Sequence, residues 1–183
     1  MLDANVLYPA PLRDILLELS ARGLFRAKWT SQINREWIEA LLEHRPDIER
    51  AKLLRTCALM EEAVPDCLIT GYEALTEALT LPDPDDRHVL AAAIVGKCSA
   101  IITRNVRDFP RATLASYDIE AMHPDDFIHH QVGLDRAAVI VSARNCRMRL
   151  RNPPSSAEQY VETLRRQGLP KTCAELAEYV SII

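Results

Sequence analysis

The sequence predicts an α/β fold, with a mainly parallel central sheet flanked by helices, followed by an all-α C-terminal extension. Three observations point there. Short apolar, β-branched runs alternate with helical patterning through residue 130, purely helical patterning takes over from residue 131, and helix-start signals recur in that second stretch. The expected division is an α/β domain over 1–130 and a helical extension over 131–183. A chain of 183 residues can bury a sizeable core, and only 5 Gly and 11 Pro, with no run of one residue type, exclude a collagen-like or low-complexity chain.

Leu2 to Leu7 read as the end of a buried strand running into a turn at Tyr8-Pro9-Ala10-Pro11. Either that strand is very short or the natural start lies upstream of Met1. Leu12, Ile15, Leu16 and Leu19 recur at helical spacing, and Gly23 is placed to end their helix. Ser31 is the expected N-cap of a second helix with Ile33, Trp37 and Leu41 on its apolar face. A third starts after Pro46 and uses Ile48, Ala51, Leu54 and Ala58. A short apolar run, Cys67-Leu68-Ile69, precedes a weakly helical stretch, Tyr72 to Leu79. The turn Pro82-Asp83-Pro84-Asp85-Asp86 leads into a buried helix, Val89 to Val95, and then into the strand Ala100-Ile101-Ile102-Thr103. Ile119 to Met122 predicts a further strand, and Pro124 opens another helix. Leu134 to Leu150 reads as one long helix. Two capping boxes, Ser155 with Glu158 and Thr172 with Glu175, announce two more.

No apolar stretch approaches the roughly 18 residues of a membrane span, and the opening residues lack the basic region of a signal peptide, so a cytoplasmic protein is expected. The five cysteines, Cys57, Cys67, Cys98, Cys146 and Cys173, are scattered without a CxxC pair and read as reduced, buried thiols. Charge is uneven. Residues 1–129 hold 14 Lys and Arg against 21 Asp and Glu, whereas residues 130–183 hold 8 against 5, so the acidic excess sits in the first part.

In a parallel sheet, function collects where strands end and helices begin. The acids fall at those places: Asp3 after the first strand, Asp85 and Asp86 before the buried helix, and Asn105 with Asp108 after Ile101-Ile102-Thr103. Glu36 lies early on the second helix. Carboxylates gathered in one place repel one another unless a cation sits among them, and a hard divalent ion, Mg²⁺ or Mn²⁺, suits oxygen ligands.

Four segments, Leu2-Asp3-Ala4-Asn5-Val6-Leu7, Thr30-Ser31 with Glu36, Pro82 to Ala93, and Ile101 to Phe109, together resemble a bacterial PIN-domain protein of the VapC toxin type. The resemblance covers residues 1–130, and the helical tail is similar to the extension that some VapC proteins carry. It implies a three-layer PIN fold and a metal-dependent endoribonuclease, with an antitoxin as partner and a homodimer as the expected assembly. Residue by residue, it makes Asp3, Glu36, Asp86 and Asp108 the catalytic acids. Metal ligation extends to Asp85, a competitor of Asp86, and to Asn105, while Glu39 and Glu43 compete with Glu36 from further along the helix. Many members have Asp where this chain has Asn105; the neutral amide either leaves Asp108 to supply the charge or lowers the affinity for a second ion, and the count of one or two ions stays open.

Asn5, Ser31, Thr103, Arg104 and Arg107 flank these acids and are expected to position RNA or the ligands, the two guanidinium groups by holding phosphate oxygens. Arg144, Arg147 and Arg151 form a basic stripe on the long helix, with Arg149 nearby; it reads either as an RNA-guiding surface or as a solvated face. Asp83 reads as a turn former, His88 as a structural histidine, and His129 and His130 as helix-end residues. Housekeeping RNA processing, or RNA binding without catalysis, are the alternative functions. Dehalogenase-like phosphatases and response-regulator receivers also place an Asp after their first strand, but both want a Lys after a later strand, and Lys97 precedes the strand at Ile101.

Overall fold

A computed structural model describes residues 1–183, which divide into two compact units: Met1–Tyr8 with Ala27–His123, and Pro9–Arg26 with Pro124–Ile183. This division differs from the expected 1–130 and 131–183. The helix made by residues 10–21 clusters with the C-terminal helices, because its apolar face packs on them rather than on the sheet.

In the first unit, strands β1 (Ala100–Ile102) and β2 (Glu120–Met122) pair in parallel, with Ala100 opposite Glu120 and Ile102 opposite Met122. On the other side of β1, Leu2 makes a parallel bridge to Ile102, and its amide donates to the Lys28 carbonyl. Trp29 and Leu68 add a further parallel bridge. The central layer is thus parallel, as expected, but its regular part has two strands. The expected strand over Leu2 to Leu7 shrinks to Leu2: Asp3 caps helix α1 (Ala4–Leu7) by accepting from the Ala4 amide, a local bond that competes with strand pairing.

Helices α3 (Ser31–His44), α4 (Arg50–Ala63), α5 (Glu73–Thr76) and α6 (Arg87–Val95) follow in this unit, with the one-turn α7 (Arg111–Leu114) between β1 and β2; α2 (Ala10–Ala21) lies in the other unit. The N-cap of α3 is Thr30 rather than Ser31; its hydroxyl accepts from the Ile33 amide at 3.0 Å, and Ser31 is the first helical residue. The buried face of α4 also departs from expectation. Leu53, Cys57 and Met60 point inward, while Ala51, Leu54 and Ala58 are exposed. Both stripes have helical spacing, and packing against α3 selects the first. The core gathers Leu2, Trp29, Ile33, Trp37, Leu90 and Ile101, and α6 is buried from His88 through Ala93.

The second unit contains α2, α8 (Pro124–Leu134), α9 (Arg136–Arg149), α10 (Ala157–Arg166) and α11 (Pro170–Ala177). Asp135 separates α8 from α9 and caps the latter through the Ala138 amide, so Leu134 is not part of the long helix. The first capping box is shifted by one residue: Ser156 pairs with Gln159. The second does not form. Thr172 lies inside α11, whose Lys171 and Thr172 amides donate instead to the buried carboxylate of Asp125, each at 2.9 Å. Glu18 on α2 accepts from Arg22, Asn145 and Arg149. All five cysteines are free thiols, with Cys98 partly exposed and the rest buried. No helix is long and apolar enough to cross a membrane.

Candidate active site

The ends of Leu2 and β1 place Asp3 beside Thr103, and these two residues with Asn5 form a fully bonded knot. Asp3 Oδ2 accepts from Thr103 Oγ1 at 2.7 Å and from Asn5 Nδ2 at 2.6 Å, while Oδ1 accepts from the Ala4 amide at 2.7 Å. Thr103 Oγ1 accepts in turn from Asn5 Nδ2 at 2.9 Å and from the Asn105 amide at 3.0 Å, and Asn5 Oδ1 accepts from the Arg104 amide at 3.0 Å. The loop after β1 is therefore held by side chains from the chain's first five residues. Asn5 and Thr103 act on the site as positioning groups.

Asp3 is 5% exposed, and burial raises its carboxyl above the ordinary range despite the hydrogen bonds from Thr103 and Ala4; Glu36 raises it further and His88 lowers it. Asp86, on the short 3₁₀ turn Pro84–Asp86 ahead of α6, is pushed up to about 7 by burial and then by the charges of Asp3, Asp83 and Asp108, with His88 opposing. Asp3, Glu36, Asp86 and Asp108 thus share one electrostatic neighbourhood. Asp83 contributes its field as well as its expected role in the turn, where it accepts from the Asp85 amide. Asp85 is exposed and is not among the leading influences on Asp3 or Asp86.

Glu36 faces a residue read from the sequence as merely structural. His88 Nε2 lies 2.9 Å from Glu36 Oε1, which also accepts from Gln32 Nε2 at 3.0 Å. His88 is buried and its Nδ1 has no partner. With its proton on Nε2, the ring donates to Glu36. The only sequence signal was its place immediately before the apolar run that starts at Val89; the contact with residue 36 needs the fold. Of the competing acids, Glu39 is held by Arg50 in a two-pronged pair at 2.5 and 2.7 Å.

The donor set fits a hard divalent cation by its chemistry. It consists of carboxylate oxygens, partly buried, and burial followed by mutual repulsion raises the Asp86 carboxyl to about 7. The acids sense one another without closing: no three His, Cys, Asp or Glu side chains form a ready-made metal cage.

The other expected residues are dispersed. Arg104, Asn105 and Arg107 are exposed on the loop after β1. Ser31 lines a separate groove of about 380 Å³ between α3 and α4, which none of the four acids reaches. The stripe on α9 is broken, because Arg147 spends its guanidinium on the Ile183 and Ser155 carbonyls and Arg149 binds Glu18. Arg144 and Arg151 stay exposed, in the second unit.

A family model for the PIN domain matches residues 1–107, and one for the VapC50 C-terminal domain matches residues 124–178. The chain belongs to the PIN-domain family. It is similar to the protein named "Putative ribonuclease VapC50" of Mycobacterium tuberculosis, at 44% identity over 64 residues, which is 35% of this chain and 37% of that relative. The matched stretch is thus well under two thirds of the relative's length. No solved structure matches.

Proposed function

We propose that this chain is a divalent-metal-dependent endoribonuclease that acts as the toxin of a toxin–antitoxin pair. The observation that carries the reading is the gathering of acids at the end of β1: buried Asp3, held by Thr103 and Asn5, shares its surroundings with Glu36, Asp86 and Asp108, and burial with the neighbouring acids raises the Asp86 carboxyl to about 7. The PIN-family match and the name of the mycobacterial relative support RNA as the substrate, and the VapC-type resemblance of the motifs makes a protein antitoxin the partner.

Asp3, Glu36, Asp86 and Asp108 would hold Mg²⁺ or Mn²⁺, with Asn105 as a neutral neighbour. When bound, such an ion supplies Lewis acidity at a phosphoryl oxygen and lowers the pKa of its water. The chain's own residues do the rest. Thr103 and Asn5 fix the Asp3 oxygens, and His88 and Gln32 fix Glu36 Oε1, so these two acids, carried by different elements, each keep one orientation. Arg104 and Arg107 stand on the loop beside them to receive the phosphate backbone. Asp86 would add its negative charge to the ion's ligand set once its proton is displaced.

The test is cleavage of mixed single-stranded RNA with Mg²⁺ or Mn²⁺ titrated against EDTA. Metal-dependent internal cuts that Asp3→Asn abolishes support the reading. RNA binding without cleavage at any metal concentration would return the chain to the non-catalytic alternative. Growth arrest on expression, relieved by Asp3→Asn, separates a toxin from a housekeeping nuclease.

A further inference from the structure

The loop that leaves the acid site continues into a groove of about 700 Å³ on the first unit, between β2 and residues 106–115. Val106 and Arg107 line it, just past Asn105, and so does Arg111 at the start of α7. We infer that this groove holds the single-stranded RNA backbone flanking the cleaved phosphate, with Arg107 and Arg111 as its phosphate contacts. The inference rests on the nuclease reading above and extends it to a subsite outside the four acids.

Three properties support it. First, the wall is fixed relative to the site: Asn5 and Thr103 hold the Arg104 and Asn105 amides, the turn Val106–Asp108 follows, and the buried Phe109 ring anchors its far end. Second, Arg107 and Arg111 are exposed and have no ion pair, in contrast to Arg50 and Arg149, which are bound to Glu39 and Glu18. An exposed guanidinium without a carboxylate partner is ready to bind phosphate in two-pronged fashion. Third, the volume is that of a small-molecule site and suits one or two nucleotides rather than a duplex.

The lining also limits what is read. Asp118 and Glu120 contribute negative charge where β2 begins, so the phosphates are expected to follow the arginine wall. The one aromatic ring of the groove, Phe109, is buried, which leaves no platform for base stacking. Recognition here is of backbone charge, without base preference.

The experiment measures binding of a fluorescein-labelled single-stranded RNA to the full chain by anisotropy in EDTA, across a salt series. Arg107→Gln with Arg111→Gln should weaken binding ~tenfold at low salt and lower the salt slope by about 1.4, since each lost phosphate contact on a single strand removes roughly 0.7. Arg107→Lys with Arg111→Lys should keep most of the affinity and the slope, which separates lost charge from altered folding; circular dichroism checks the latter. An unchanged slope in the Gln double variant, with wild-type binding intact, overturns the groove and leaves the nuclease reading standing. If an acidic peptide then binds wild type and not the Gln variant, the groove is a protein-docking surface and the RNA assignment is overturned. Wild type that neither binds nor, with metal, cleaves RNA overturns both.

Discussion

Glu18 in the second unit and Asp86 in the first are both carboxylates drawn out of water, and they are shifted in opposite directions. Burial works against Glu18, but Asn145, Arg149 and Arg22 donate to it and carry its carboxyl below the ordinary range. Asp86 meets burial together with Asp3, Asp83 and Asp108, and only His88 opposes them. Asp125 resembles Glu18 in solution if not in partner, since two helix-start amides of α11 satisfy it. The second unit therefore uses buried acids to join helices, each one answered within the protein. In the first unit Asp3 and Glu36 have hydrogen-bond donors but no arginine or lysine partner, and Asp86 faces three further acids; such a cluster costs stability unless something outside the chain supplies the positive charge.

The largest effect expected from breaking this contrast is on chemistry. Asp3→Asn should reduce RNA cleavage about a hundredfold or more while the protein keeps its far-ultraviolet circular dichroism, because the amide can still accept from Ala4. Next, His88→Ala removes the donor that fixes Glu36, and Mn²⁺ affinity should fall by ~10- to 100-fold in a calorimetric titration; His88→Gln, which can donate to Glu36, should recover part of it.

A third change exposes the opposite role of the second unit. Glu18→Gln should destabilise the protein by about 1–3 kcal/mol in urea unfolding, through weakened bonds to two arginines, and leave Mn²⁺ affinity unaltered. The smallest effect is one of sign. The raised carboxyl of Asp86 favours the folded state while protonated, so that contribution is full below its ordinary value and is lost as pH rises through about 7. Metal-free Asp86→Asn should accordingly gain in melting temperature over wild type above pH 7, and lose the advantage under acid. For Glu18 the sign reverses: its stabilising contribution is present above the ordinary Glu value and fades as pH falls through its lowered one.

Much of this was legible in the sequence where local patterning decides. The strands at Ala100 and Glu120, the helix behind Pro84, and the positions of Asp3, Asp86 and Asp108 follow from apolar runs, turn residues and motif order. Where two local solutions compete, tertiary packing chose. Two helical stripes on α4 are equally periodic, two adjacent serines can each cap α10, and Asp3 could extend a strand or cap a helix. Contacts across long separations were not legible at all. His88 meets Glu36 from 52 positions away, Asp125 caps a helix that starts at residue 170, and Arg147 donates to the Ile183 carbonyl. Pairing of helix 10–21 with the C-terminal helices likewise depends on Glu18 reaching Asn145 and Arg149.

The central claim, that the clustered acids of the first unit form a cation site, is tested most directly by calorimetric titration of the metal-free protein with Mn²⁺ at pH 8 and pH 6. Binding should be tighter at pH 8, with protons released on binding at pH 6, because Asp86 must give up a proton held to about 7. Asp86→Asn should bind weakly at both values without that proton release, and Glu18→Gln should match wild type. Absence of Mn²⁺ binding by wild type at pH 8, or equal affinity in Asp86→Asn, would contradict the claim.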